Sequence, residues 1–216
     1  MVVLSRIATR AGDDGLTQLG DLSRVSKTDP RIEAVGSVAE AAAAIGVARA
    51  FGLAPRLDRW AEQLLQELFD LGADLATPLP AACPVRSRRR SVPRVDQART
   101  AAWDQVIQDL AEELGPLRSF VLPGGPPAAA HLHLAVTVAR RAERAAWHAA
   151  GAHGIGGEGG LNPEALRYLN RLSDLLFQLA RAAGGEGELW RPESGGGVRA
   201  AGTGLDPGQE PARGAA

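Results

Sequence analysis

The chain is short of cysteine, of aromatic side chains and of net charge, and each shortage excludes something. One cysteine, Cys83, stands among 216 residues, so no disulfide framework forms within the chain. A formal net charge of -1 gives no general attraction to nucleic acid or to a membrane surface. Aromatics make up 4% of the residues, and the β-branched residues are scattered through helical patterns, which argues against a β architecture. No apolar run is long enough to span a bilayer, because Arg and Glu interrupt the alanine-rich stretches. The opening "MVVLSRIATR" lacks the apolar core and cleavage site of a secretory signal. With the lone cysteine, this reads as a cytoplasmic protein. His131, His133, His148 and His153 do not combine with Cys or carboxylates at zinc spacing. No Ser/His/Asp arrangement stands out either.

What is present is a set of helical periods. A length of 216 residues suits one large domain with a real core. Five segments carry apolar residues at three- and four-residue steps, which is one face of a helix. The first opens at Pro30 and runs through Ile32, Val35, Val38, Ala42 and Ile45 toward Gly52. The second places Leu57, Trp60, Leu64, Leu68, Leu71 and Leu75 on one side. The third has Val95, Ala102, Val106, Leu110 and Leu114, with Gly115 as its stop. The fourth is "PAAAHLHLAVTVARRAERAAWHAAG", and the fifth opens at Asn162-Pro163 and ends at Gly184. The predicted class is all-α, an antiparallel five-helix bundle over residues 1–183. Residues 1–29 form an N-terminal loop, and the Gly/Pro-rich residues 184–216 form a disordered tail. Within that tail "ELWRPES" is a docking point through Trp190.

Three stretches carry chemistry. "TRAGDDGLTQLGDLSRVSK" (Thr9 to Lys27) concentrates glycines, acids, hydroxyls and cations. It has neither P-loop, dinucleotide nor EF-hand spacing. Gly12 and Gly15 let backbone N–H groups approach an anion closely. Thr9, Thr17, Arg10 and Lys27 add hydroxyls and charge, and Asp13 and Asp14 offer carboxylates to a hydrated metal. A polar lead-in to the first helix is the other reading. "ARRAER" sets Arg140 and Arg144 one turn apart on one helix face, a repulsion that a polyphosphate would relieve. The alternative is a solvated charged face. Asn170, beside the apolar side of the last helix, requires a partner, either a ligand or a neighbouring backbone. Phe120 sits in the connection "RSFVLPGG", as a pocket wall or as a loop folded over the bundle end. Phe177 reads as core. The basic run Arg86 to Arg90 has no aromatic neighbours and reads as a solvated loop rather than a nucleic-acid site.

Taken in order and spacing, "TRAGDDGLTQLGDLSRVSKTDPRIEAVG", "LFDLGADLATP", "LRSFVLPGG", "ARRAERAAW" and "YLNRLSDLLFQLAR" resemble the PduO-type ATP:cob(I)alamin adenosyltransferases. The resemblance covers Val3 to about Arg181. It implies a ferritin-like five-helix bundle, assembled as a homotrimer with its sites between subunits. The implied substrates are ATP, brought in with Mg²⁺, and cobalamin. The implied reaction moves the 5′-deoxyadenosyl group of ATP to Co(I), giving adenosylcobalamin and triphosphate. By the same resemblance, Thr9, Arg10, Gly12, Asp13, Gly15, Thr17 and Lys27 wrap ATP. Arg140, Arg141, Glu143 and Arg144 hold its triphosphate, Asn170 contacts it, and Phe120 and Phe177 close the corrinoid's lower face. Arg140, Arg144 and Phe120 carry the catalytic role. No direct metal ligand is implied; Mg²⁺ arrives with ATP, and Glu143 is the one carboxylate expected near it. Implied partners are a flavin-dependent reductase and an adenosylcobalamin-dependent enzyme, with no nucleic acid and no membrane.

The chain departs from that family's pattern at four places. Ala11 and Leu16 stand where threonines are usual, and Val136 stands where an arginine is common. Ala39 replaces an acid that ordinarily pairs with the Arg140 position across the interface. A second reading is therefore a divergent trimer that binds nucleotide or corrinoid with little turnover.

Overall fold

The computed structural model describes Ala8 and residues 10–80, 92–185 and 187–192. Thr9, Cys83, the Arg86 to Arg90 run and residues 193–216 lie outside the described residues. Five helices follow one another: α1 (Pro30–Ala50), α2 (Pro55–Leu75), α3 (Gln97–Leu114), α4 (Pro127–His153) and α5 (Pro163–Gly184). Proline occupies the first turn of α1, α2, α4 and α5, where its missing N–H is no loss. Asp29, Asp96 and Asn162 cap α1, α3 and α5 by accepting from the backbone N–H groups of Arg31, Arg99 and Glu164.

The chain goes up and down. Arg49 grips Asp58 across the α1–α2 turn, with Nε to Oδ1 at 2.7 Å. α1 and α4 are antiparallel: Phe51 stacks on His131 at one end, and His153 Nε2 lies 2.9 Å from Asp29 Oδ1 at the other. α4 and α5 are also antiparallel, with Ala129 near the start of one against Gly184 at the end of the other. α3 bridges α2 and α5. Trp103 Nε1 and the Tyr168 hydroxyl both donate to Glu67 Oε2, at 2.7 and 2.8 Å. Burial and the neighbouring Glu67 carboxylate push the Tyr168 phenol well above its ordinary pKa. α3 runs in the same direction as α5, since Arg181 near the end of α5 donates to Gly115 O just beyond α3.

Between α1 and α4 the core is alanine. Ala34, Ala41, Ala48, Ala135, Ala139 and Ala142 are all 0% exposed, so the two backbones approach closely. The leucines of α2 and α5 fill the rest. The buried stripe of α3 differs from expectation at one point. Ala102 is exposed and Trp103 is buried instead, because its indole N–H finds the Glu67 carboxylate.

The N-terminal stretch expected as a loop contains a small hairpin. β1 (Leu16–Gln18) pairs antiparallel with β2 (Arg24–Ser26), Thr17 opposite Val25. It rests on the end of α2, where the Gly20 N–H donates to Ala76 O at 2.8 Å. A Cβ at Gly20 would lie 2.0 Å from Thr77 Oγ1, which is itself held by its bond to Ala73 O. Gly20→Ala is expected to lift the hairpin off α2 at a cost of roughly 1–3 kcal/mol. Hydrogen exchange at the Gly20 and Lys27 amides reads this directly; unchanged protection would refute it.

Candidate functional site

The hairpin is shaped by its own backbone. The Lys27 N–H donates to Gly15 O at 2.9 Å, closing the neck of the loop. Asp14 Oδ1 accepts from the Leu16 N–H at 3.3 Å, and Arg24 reaches Ala11 O at 3.0 Å and the Asp14 carboxylate at 3.4 Å. The Lys27 side chain lies along Gly12, where a Cβ would sit 3.0 Å from Nζ; glycine is what lets the ammonium fold over the loop. Lys27 and Thr17 therefore belong to one preformed ridge with Gly12 and Gly15. Asp13 and Asp14 do not make a metal cage: among the described residues no group of three His, Cys, Asp or Glu is placed to hold an ion.

Below the hairpin, two buried polar groups lock the helix ends. Arg31, 1% exposed, donates to Leu75 O at 2.8 Å and to Gly159 O at 2.7 Å. Burial lowers its pKa, and the flanking Asp29 opposes that. Asp74 has a side chain that is 0% exposed and takes Arg94 Nη1 at 2.5 Å. It also accepts the Val95 N–H at 2.8 Å and the Asn162 amide at 2.7 Å. One carboxylate thus joins the end of α2, the lead into α3 and the cap of α5.

The arginine helix divides its charges between two sides. Arg141 forms an ion pair with Glu40 of α1. Arg140 and Arg144 are exposed and have no ion pair among the described residues. Glu143 turns toward α5, where its Oε1 accepts the Asn170 amide at 3.1 Å. The partner of Asn170 is therefore a carboxylate rather than a helix backbone. Both line a cleft of about 570 Å³ between α3, α4 and α5, with Trp147, Asp104 and Arg171 also on its walls. Arg171 Nε meets Asp104 Oδ1 at 2.5 Å across it.

At the opposite end of α5, Phe177 is half-buried and meets His133 edge to face, ring centres 6.1 Å apart. Burial pushes the His133 imidazole below its ordinary pKa. Phe120 projects from the α3–α4 connection with 77% of its surface exposed. Its one ring neighbour among the described residues is Trp190, edge-on, with centres 6.1 Å apart.

The family model described as cobalamin adenosyltransferase matches residues 7–183. The chain belongs to the cobalamin adenosyltransferase family. A corrinoid adenosyltransferase of Mycobacterium tuberculosis is 46% identical over 196 residues, 88% of this chain and 95% of that protein. A cobalamin adenosyltransferase of Cupriavidus metallidurans is 40% identical over 195 residues, 88% of this chain and 96% of that one. The fold matches a PduO-type ATP:corrinoid adenosyltransferase variant from Lactobacillus reuteri, solved with cobalamin and ATP. The TM-score is 0.70 at 31% identity, covering 82% of this chain and 90% of that chain.

For a cobalamin adenosyltransferase, the expected site residues fall into three groups within one chain. Arg10, Gly12, Asp13, Gly15, Thr17 and Lys27 lie on the hairpin side; Glu143 and Asn170 meet at the cleft, with Arg140 and Arg144 exposed on α4; and Phe177 on α5 and Phe120 on the α3–α4 connection meet separate neighbours, His133 and Trp190. Arg141 is set apart from its neighbours by Glu40. The residues that sequence reasoning missed are Thr100 and Glu164. Among the described residues Thr100 Oγ1 and Glu164 Oε2 are buried without a hydrogen-bond partner, and both residues line the cleft beside Glu143 and Asn170. Both sit in the first turn of a helix, where Thr and Glu are ordinary, so nothing in the sequence marks them.

Proposed function

We infer that this chain transfers the 5′-deoxyadenosyl group of ATP to cob(I)alamin, releasing adenosylcobalamin and triphosphate, as a homotrimer with its sites between subunits. The observation that carries the reading is the pair Arg140 and Arg144. They stand one turn apart, exposed and without carboxylate partners among the described residues, while Arg141 between them is neutralised by Glu40. Two unpaired guanidinium groups at that spacing match the oxygens of a polyphosphate.

The side chains need no general base, because cobalt is the nucleophile. Lys27 of the hairpin, with Arg140 and Arg144, offsets the charge that builds on the departing triphosphate. Asn170, held by Glu143, fixes the nucleotide's orientation. Arg10, Thr9, Thr17 and the Gly12–Gly15 ridge wrap it, with the hairpin of one subunit reaching the arginine helix of the next. Phe120 and Phe177 shut water and a lower ligand away from the corrinoid, favouring four-coordinate cobalt. Mg²⁺ comes in on the triphosphate, and Glu143, whose Oε1 accepts the Asn170 amide, is the carboxylate expected near it. Val47 and Leu134, 43% and 52% exposed, give α1 and α4 apolar surface for trimer packing. A flavin-dependent reductase supplies Co(I), an adenosylcobalamin-dependent enzyme receives the product, and the single cysteine fits a reducing cytoplasm. Among the described residues no helix is long and apolar enough to cross a membrane.

One observation favours the second reading, a trimer that binds but turns over little. With alanine at position 39, the acid of this stretch of α1 is Glu40, and it is committed to Arg141 inside the chain. Chemically reduced cobalamin with Mg-ATP separates the two. Adenosylcobalamin and triphosphate formed one to one establish the transferase. ATP binding by calorimetry without product establishes the binding trimer.

A further inference from the structure

The connection that carries Phe120 has little of its own to hold it. It contains Pro116, Pro123, Gly124, Gly125 and Pro126, and so few backbone donors or side chains with which to pack. From Ser119 to Leu122 its backbone bonds among the described residues run to one short segment, residues 187–192. The Leu122 N–H donates to Glu188 O and the Trp190 N–H donates to Phe120 O, each at 2.7 Å. Val121 and Leu189 pair as an antiparallel bridge, and Ser119 Oγ donates to Trp190 O at 2.6 Å. Gly187 lies close under Val121, where a Cβ would be 3.2 Å from its Cγ1. The Trp190 indole then meets the Phe120 ring at 65°. A ring that is 77% exposed has no core to hold it. Trp190 is its only ring contact among the described residues.

We propose that residues 187–192 are a strap, and that Trp190 is a positioning residue that sets the Phe120 ring for the corrinoid. The strap acts at the step where the corrinoid loses its lower ligand. An aromatic wall closes that face only if the ring is already turned toward it; otherwise binding energy goes into ordering it. The proposal rests on the reading of Phe120 as the wall of the corrinoid site.

The test is the electron paramagnetic resonance spectrum of cob(II)alamin bound to the full-length protein with ATP. This spectrum separates five-coordinate from four-coordinate cobalt without turnover. Trp190→Ala is expected to lower the ratio of four- to five-coordinate cobalt about two- to tenfold, the scale of one lost edge-to-face pair. Trp190→Phe restores it. The melting temperature stays the same, the KM for corrinoid rises, and the KM for ATP does not. Ser119→Ala, which removes one tie and no ring, moves the ratio the same way. A wild-type ratio in Trp190→Ala, with the ratio collapsed in Phe120→Ala, overturns the strap and leaves the role of Phe120 standing. A wild-type ratio in both variants overturns the role of Phe120 and the strap with it.

Discussion

Arg144→Ala is expected to lower kcat/KM about 100- to 1,000-fold, the cost of removing one preorganised charge-bearing donor from a site where negative charge develops. The fold should not notice. Arg144 is exposed and makes no ion pair among the described residues, so its removal strands no carboxylate. Its loss also ends a repulsion with Arg140, worth roughly 0.2–0.5 kcal/mol at that spacing. The melting temperature is therefore expected to hold or rise slightly while turnover collapses. Arg144→Lys recovers only part of the rate, because an ammonium is a point charge and lacks the planar fork. Arg141→Ala is the contrast: it frees Glu40 and should cost activity far less. Steady-state kinetics with calorimetric melting decides it. Equal losses for Arg141→Ala and Arg144→Ala would show that the division of charges on α4 has no functional meaning.

Asp74→Ala produces the largest expected loss of stability. The carboxylate is fully buried and satisfies the Arg94 guanidinium, the Val95 N–H and the Asn162 amide together. Removing it strands the buried Val95 N–H and the Asn162 amide and takes the counter-charge from the part-buried Arg94, which keeps the carbonyls of residue 74, Thr77 and Pro78, at about 3–5 kcal/mol together. For a domain of this size that is a fall in melting temperature of roughly 6–20 °C. Asp74→Asn keeps the shape and one acceptor and should lose less. Because Asn162 and Val95 begin α5 and α3, the damage should spread to the cleft they flank, weakening ATP binding as well. A melting shift under about 2 °C for Asp74→Ala would show that water replaces the carboxylate, against the burial seen here.

Asp74 also marks the limit of what the sequence discloses. In "LFDLGADLATP" it is one of two acids, at a spacing that places it neither clearly in nor out. Only the approach of two distant segments makes it the most buried carboxylate among the described residues. The helices themselves were legible, since Pro30 and Asn162-Pro163 open α1 and α5 and leucine spacing in α2 and α5 fixes their buried sides. In α1 and α4 alanine blurs the pattern, because its size suits a core and a surface equally. α3 shows the same effect, where Ala102 faced solvent and Trp103 turned inward. The hairpin escaped notice because three-residue strands are too short to show alternation. Arg140, Arg144 and Asn170 were legible as charge and amide at helical spacing. That Asn170 is held by Glu143, and that Arg141 is taken by Glu40, depends on packing between helices far apart in sequence.

The hairpin's closure by Lys27 and Gly15, with Asp14 on the Leu16 N–H and Arg24 on Ala11 O, bears on mutational tolerance. At positions 11 and 16 the loop is held through peptide groups, which every residue except proline supplies in full. Side chains there can drift without changing its course, which is how alanine and leucine come to stand where hydroxyls are usual. Gly20 has no such latitude, because a Cβ there would lie 2.0 Å from Thr77 Oγ1. Inherited variation in this arm should accordingly gather at positions 11 and 16 and stop at 20.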